Sequence, residues 1–355
     1  HHLLRRQRQM CIRDRGNTDI DVSLICLGTM TWGQQNTEEE GFEQMDYAVD
    51  QGVNFFDTAE LYSIPPMAET QGSTEKIIGN WFKKTGLRKD IILATKVAGR
   101  SGMKWFRGGE TRLNRKNIEE AIEGSLKRLQ TDYIDLYQLH WPDRALNIFG
   151  GGLGLYKHYD LDSIPIEETL DILNQLVATG KVRHIGLSNE TPWGLSEFLN
   201  ISDKKSFPRV QSVQNAYNLL NRNYETGMSE FFHRSDVGLL AYSPLAQGYL
   251  SGKYLDGNLP EGSRTKLFGR GQRYETPSAE SAIKKYVNLA KQSDLDPSLM
   301  ANAFVNSRDF VTSNIIGATT MPQLKLAIES EKTKLSEDVL TELDKIHSEC
   351  PNPCP

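Results

Sequence analysis

YIDLYQLH (133–140), then a helical stretch over 167–179 stopped by Gly180, then VRHIGLSN (182–189), form the stretch on which the fold turns. The two outer runs are short, apolar and rich in strand-forming residues, and they end in polar side chains. Two strands joined through a helix make a parallel βα unit. Moving outward, the same alternation recurs along the chain. Upstream strands are expected at 23–28, 53–57 and 91–96, and downstream strands at 210–215, 237–243 and 313–319.

Helices fall between them. Thr37 is an N-cap candidate ahead of Glu38, Glu39 and Glu40, whose carboxylates suit a helix N-terminus, and Gly52 ends that helix. Further helices are expected at 74–84, along the face made by Ile118, Ile122, Leu126 and Leu129, and at 193–199, 224–234, 279–292 and 323–329. An extra helix at 335–348 lies outside the repeat. Eight such units predict an α/β fold, a (β/α)8 TIM barrel with long βα loops and an extra C-terminal helix. Three connections exceed ordinary βα turns: 97–116, 141–165 and 244–277. All leave the carboxyl ends of strands, the face where barrels carry their chemistry.

Composition agrees with one large soluble domain. Of 355 residues, 38% are hydrophobic and 25% charged, enough to fill a core. The formal net charge is −5, yet residues 1–15 hold five arginines and one aspartate, a local +4, so the remainder carries −9. That acidic body argues against a nucleic-acid partner. No apolar run approaches the roughly 20 residues of a membrane helix. The leader HHLLRRQRQMCIRDR lacks the apolar core of a secretory signal. It reads as a foreign or disordered basic leader, with a native basic arm as the alternative, and 16–355 as the barrel domain. Cys11, Cys26, Cys350 and Cys354 show neither metal-ligand spacing nor a disulfide framework, so a cytoplasmic chain without a metal is expected.

Ionisable residues stand at the strand ends. Asp57 closes FFD, Lys96 closes ILATK, His140 closes YQLH, and Tyr62 follows Asp57 by five residues. A structural Asp57–Lys96 ion pair with His140 as a core residue explains each singly. As a set they make a proton-transfer site. An ammonium lowers a nearby phenol's pKa toward the working range, a carboxylate holds the ammonium, and an imidazole places a carbonyl oxygen. A lyase using Lys96 as a Schiff base is a different reading of the same lysine.

The strings GTMTWG (28–33), FFDTAELY (55–62), ATK (94–96), DLYQLHWP (135–142), IGLSN (185–189), AYSPLAQGYLSGKY (241–254) and IIGATT (315–320) together resemble the aldo-keto reductase family. SNET (188–191) and GATTMPQL (317–324) are most similar to its bacterial Tas-type branch. The resemblance implies an NADP(H)-dependent oxidoreductase acting on a small aldehyde or ketone, with Asp57, Tyr62, Lys96 and His140 as catalytic residues. It also implies a cofactor site without a Rossmann domain. Ser188, Asn189 and Gln214 would hold the nicotinamide amide and Tyr242 would stack on the ring. Ser243, Leu245, Gly248 and Arg264 would hold the pyrophosphate, and Gly317, Thr319, Thr320 and Gln323 the adenosine end. Thr29 and Asp57 complete the expected cofactor set. Apart from the resemblance, Trp32, Trp105 and Trp141 are candidates to wall an apolar substrate pocket; Trp141, directly after His140, is the strongest, and Trp105 is as well explained by loop packing. Where the family has a Glu-Asn pair near adenine, this chain has Leu326 and Ala327, and GATT lacks an arginine, so NAD(H) stays open as cofactor. A regulatory subunit of the potassium-channel β type, binding cofactor with slow turnover, is the alternative function.

Two further expectations concern loops and floor. Arg100, Lys104, Arg107, Arg112, Arg115 and Lys116 make the 97–116 loop basic, either to guide an anion or as a solvated surface. Only 16–23 matches the second half of the hairpin that plugs family barrels, so a poorly closed floor is expected. GGGLG (150–154) reads as a flexible lid segment, not a dinucleotide fingerprint.

Overall fold

The computed structural model describes residues 12–14, 18–149, 156–269 and 272–354. GGGLG and most of the basic leader lie outside these residues. Two short strands come first, β1 (Ile12–Asp14) and β2 (Asp21–Ser23), paired antiparallel. β1 thus lies on the leader side of the boundary read at residue 15 and β2 on the barrel side. The repeat follows as β3 (Ile25–Gly28), α1 (Glu38–Asp50), β4 (Phe55–Asp57), α2 (Ser73–Thr85), β5 (Ile92–Val97), α3 (Arg115–Leu129), β6 (Ile134–Leu139) and α4 (Ile166–Ala178). It continues through β7 (Val182–Ser188), α5 (Pro192–Lys205), β8 (Val210–Ala216), α6 (Asn223–Gly227), α7 (Ser229–Ser235) and β9 (Gly238–Tyr242). The last elements are α8 (Arg264–Phe268), α9 (Ala279–Gln292), α10 (Pro297–Asn306), β10 (Val311–Ile316), α11 (Met321–Glu329) and α12 (Glu337–Glu349).

Strands β3 to β10 are all parallel, and β10 pairs with β3 to close the (β/α)8 barrel. Each expected strand is present. Local chemistry starts the helices as read: Thr37 accepts from the Glu40 amide and the Glu40 carboxylate returns to the Thr37 amide, a complete capping box on α1.

Three details differ from the sequence reading. The run 23–28 is split at Leu24, so its first residue belongs to the hairpin. The helix read at 224–234 breaks at Met228 into α6 and α7. The seventh crossover ends in α10, which packs on β10 and α11, whereas α9 packs against α12 as a pair outside the repeat. Asp296 caps α10 and Pro297 occupies its first turn, yet Met300 to Asn306 are all buried. A helix buried all round has no apolar stripe to reveal it.

Alternation along each strand sorts the barrel interior into layers. Cys26, Phe55, Ala94, Leu136, Leu240 and Ile315 meet inside as an apolar layer. Two residues further along β4, β5 and β6, the same inward face presents Asp57, Lys96 and Gln138. Ile20 and Val22 of the hairpin join the apolar layer, at 1% and 0% exposure. The floor is therefore filled, contrary to the expected gap, because the β2 half supplies the plugging side chains. Asp19 ties it down by accepting from Arg183 at 2.9 Å and pairing with His184 at 3.0 Å, both on β7.

Candidate active site

β4 is only three residues long, so the chain turns away just after Asp57 and brings Tyr62 back over the mouth. Thr58 N still donates to Ala94 O (2.9 Å) and Glu60 N to Lys96 O (3.2 Å), extending the ladder past the strand. Tyr62 is thereby delivered beside Lys96. The Lys96 ammonium is fully buried and donates to Asp57 Oδ2 (2.6 Å), Thr58 O (2.7 Å) and Tyr62 Oη (3.4 Å). The other Asp57 oxygen accepts from Gln214 (2.8 Å) and Gln138 (3.1 Å). His140 follows β6 and meets the Tyr62 ring edge-on, with centroids 5.6 Å apart. Its Nδ1 is buried without a hydrogen-bond partner. A substrate oxygen or a water would relieve the cost of such an orphan.

The electrostatics follow from burial. Burial opposes the Lys96 ammonium, but Asp57 and Tyr62 outweigh it and hold the pKa above the ordinary lysine value. Burial raises the Tyr62 phenol; Lys96 opposes the rise without reversing it, and Asp57 adds to it. The expected lowering of Tyr62 is therefore not what the site produces, because desolvation of the phenolate outweighs the one cation. Burial, followed by the Lys96 charge, holds His140 well below the ordinary histidine value, so its imidazole is neutral at pH 7.

This has a consequence for acid stability. Unfolded chains take up a proton on His140 near pH 6.5, whereas the folded protein does not, so stability falls as pH drops below that value. The expected slope from this group is about 1.4 kcal/mol per pH unit. His140→Asn should flatten the pH dependence of urea unfolding between about pH 5 and 6.5; an unchanged slope would exclude a buried neutral imidazole.

The expected nicotinamide set is joined to these residues. Ser188 Oγ donates to Gln214 O (2.9 Å), Asn189 Nδ2 to His140 O (2.8 Å), and Tyr242 Oη to Asn189 Oδ1 (2.6 Å). Asn189 and Ser243 hold left-handed backbone at φ 53° and 57°, and Ala246, Gln247 and Gly248 follow at 48°, 57° and 97°. Such strain at strand ends is characteristic of ligand sites. Leu245 lies inside this turn and accepts from Gly248 N at 2.8 Å. Arg264 opens α8, which Tyr249 Oη holds near the turn through Thr265 Oγ1 at 3.3 Å. On the far side Gln323 Oε1 accepts from Thr319 N (3.0 Å) and Thr319 Oγ1 (3.1 Å), and Thr320 stands at the N-cap position of α11 without a side-chain capping bond. A Cβ on Gly317 would enter open space. Amide donors and acceptors beside a tyrosine ring, then a glycine turn and an arginine, suit a nicotinamide dinucleotide in chemistry.

Residues 24–348 match the sequence pattern of the Aldo/keto reductase family. The chain belongs to this family. It is 47% identical to Protein tas of Escherichia coli over 96% of this chain and 98% of the relative. It is 34% identical to the Uncharacterized oxidoreductase YrpG of Bacillus subtilis over 93% of this chain and 94% of that one. A Schizosaccharomyces pombe chain provisionally named a voltage-gated potassium channel subunit beta is 30% identical over 93% of this chain and 91% of its own. The protein is accordingly an NAD(P)H-dependent oxidoreductase.

Several expected site residues of this aldo-keto reductase sit elsewhere. Trp32 does not wall the pocket: it is fully buried, its ring lies against Gly41 and its Nε1 donates to Gln44 (3.1 Å). Thr29 is also fully buried and donates its hydroxyl to Asp57 O (2.9 Å), which ties it to the end of β4. Ala327 belongs to the hydrophobic core and faces no adenine. Trp141 lies beside His140, centroids 4.8 Å apart, and donates to Arg100 O (2.8 Å).

The arginines of the basic loop act as a clamp between segments. Arg112 pairs with buried Asp143 (2.8 Å) and with Asp162 (3.0 Å) on the 141–165 connection, and Arg100 donates to Asp143 O (2.9 Å). Arg107 pairs with buried Glu60, and Arg115 pairs with Glu119 and Asp171. Apart from the Arg115–Glu119 pair, these arginines are paired with carboxylates remote in sequence. Sequence reasoning also missed Gln138, whose only signal was a polar side chain on an inward strand position.

Proposed function

We propose that this protein reduces aldehydes or ketones to alcohols with NADP(H), using Tyr62 as the general acid. The observation that carries the reading is the buried line Asp57–Lys96–Tyr62, with neutral His140 against the Tyr62 ring. When bound, the reduced nicotinamide supplies hydride to the carbonyl carbon. His140, neutral, can donate to the carbonyl oxygen and place it near Tyr62. A phenol held above its ordinary pKa is protonated at rest and gives its proton to the far more basic alkoxide. Lys96 then faces the phenolate, and Asp57 keeps Lys96 charged and in place. Trp141 supplies an apolar wall beside His140.

Ser188, Asn189, Gln214 and Tyr242 are the proposed nicotinamide holders. Ser243, Leu245, Gly248 and Arg264 would hold the pyrophosphate, and Gly317, Thr319, Thr320 and Gln323 the adenosine end. The acidic body supports a small-molecule role without nucleic acid, and the cysteine pattern, with no disulfide framework in the sequence, supports a cytoplasmic one. Among the described residues no helix is long and apolar enough to cross a membrane.

Loss of nicotinamide absorbance with a panel of aldehydes and ketones tests the activity; no turnover on any of them, with cofactor held tightly, would favour the channel-subunit reading. With no arginine in GATT and Leu326 where the family has a glutamate, NADPH should bind more tightly than NADH by about tenfold or less. Fluorescence titration measures this, and equal dissociation constants would remove the preference.

A further inference from the structure

Glu60 is fully buried, lies between Asp57 and Tyr62, and has no part in the chemistry above. Its backbone amide donates to Lys96 O (3.2 Å), the last backbone bond from this segment to β5. The next donor on that side, Ala98 N just past the end of β5, is taken by the Glu60 carboxylate at 2.7 Å. The side chain thus replaces the strand carbonyl that is missing where the chain turns toward Tyr62. Its second oxygen is paired with Arg107 of the 98–114 connection.

Arg107 is itself held from several sides. Its Nε donates to Asn117 Oδ1 (3.2 Å) at the start of α3, and its guanidinium lies over the Phe106 ring at 4.7 Å. Its backbone occupies the left-handed region at φ 41°, a conformation a long side chain adopts only under constraint. Phe106 packs in one buried cluster with Ala59, Leu61, Tyr62 and Ala98. One ion pair therefore joins the segment carrying Tyr62, the strand carrying Lys96 and the loop covering both. Buried ion pairs stabilise little for their desolvation cost, and a retained one is better explained by the geometry it sets.

We propose that the Glu60–Arg107 pair is a positioning device that sets the separation of the Tyr62 hydroxyl from the Lys96 ammonium, making the loop after β5 part of proton delivery. This rests on Tyr62 being the proton donor. The 3.4 Å between Tyr62 Oη and Lys96 Nζ is the longest of the three Lys96 contacts and the one most sensitive to a shift of the turn.

The test compares Arg107→Met, Arg107→Lys and Glu60→Gln with wild type and Tyr62→Phe. Arg107→Met is expected to lower kcat about ten- to a hundredfold, as sub-ångström to ångström misplacement of a reacting group does. KM for the aldehyde and the cofactor dissociation constant should stay within about twofold, because the cofactor residues are not touched. Arg107→Lys should recover part of kcat, and Glu60→Gln should lower kcat in the same way. Crystal structures of Arg107→Met and Glu60→Gln should show the Oη–Nζ separation widened. An unchanged separation, kcat within about twofold of wild type, or a loss carried by KM instead would overturn the proposal. If Arg107→Met does not fold, Glu60→Gln and Arg107→Lys decide by the same measurements. If wild type and Tyr62→Phe turn over alike, the role of Tyr62 fails, and the measured separation still answers whether the pair sets it.

Discussion

Tyr62→Phe is expected to lower kcat for aldehyde reduction by about 10²- to 10⁴-fold, the range supplied by a positioned general acid. Only the hydroxyl is removed. The ring keeps its edge contact with His140 and its place among Ala59, Leu61, Ala98 and Phe106. The lost hydrogen bond is the 3.4 Å one, the weakest that Lys96 makes, so stability should change by about 1 kcal/mol or less. Cofactor affinity should hold, because none of the proposed nicotinamide holders bonds to this hydroxyl. Steady-state rates with nicotinamide absorbance, alongside urea unfolding, separate the two effects. Turnover equal to wild type would show that another group delivers the proton.

Lys96→Met should be severe in both activity and stability. Methionine nearly matches the lysine stem, so packing is not the issue. Asp57 Oδ2 loses its 2.6 Å partner, Thr58 O loses its 2.7 Å donor, and a carboxylate 2% exposed is left without its counter-ion. Breaking a buried pair by removing one partner costs about 3–5 kcal/mol. Activity should fall at least as far as in Tyr62→Phe, since a phenolate would then form with no cation beside it. Adding Asp57→Asn to Lys96→Met removes the stranded charge and should restore much of the stability but none of the activity. Recovery of both would mean the pair is structural; recovery of neither would mean the cavity, not the charge, sets the cost. Urea unfolding and turnover on the single and double variants distinguish these outcomes.

Much of the site was legible because its members end strands. Asp57, Lys96 and His140 each close a run of apolar residues, where an ion is poorly explained by packing, and alternation turned them to one face. Tyr62 was legible through its motif, not through periodicity. What could not be read were distances between segments far apart in the chain. Trp32 was a candidate pocket wall as a large aromatic, but its ring is taken by α1, with Gly41 against it and Gln44 as partner. The arginines of the 97–116 loop looked like a basic surface because Glu60, Asp143 and Asp162, which neutralise them, are distant in sequence. α10 was missed because burial on every side erased the stripe that marks a surface helix.

The sign of the Tyr62 shift belongs to the same class. Charge identity alone suggests that Lys96 lowers a phenol's pKa, and the pairing does act in that direction. The outcome depends on how deeply the group is buried, which no local pattern states. By itself the sequence determined the eight-fold βα repeat, the strand ends bearing Asp57, Lys96 and His140, and the caps that start the helices, since all of these are written in short-range periodicity and propensity. Tertiary structure alone decided which charges meet, which polar atoms are left for a ligand, and which way each pKa moves. Those follow from desolvation and from contacts closed by barrel formation, and both exist only once the chain has folded.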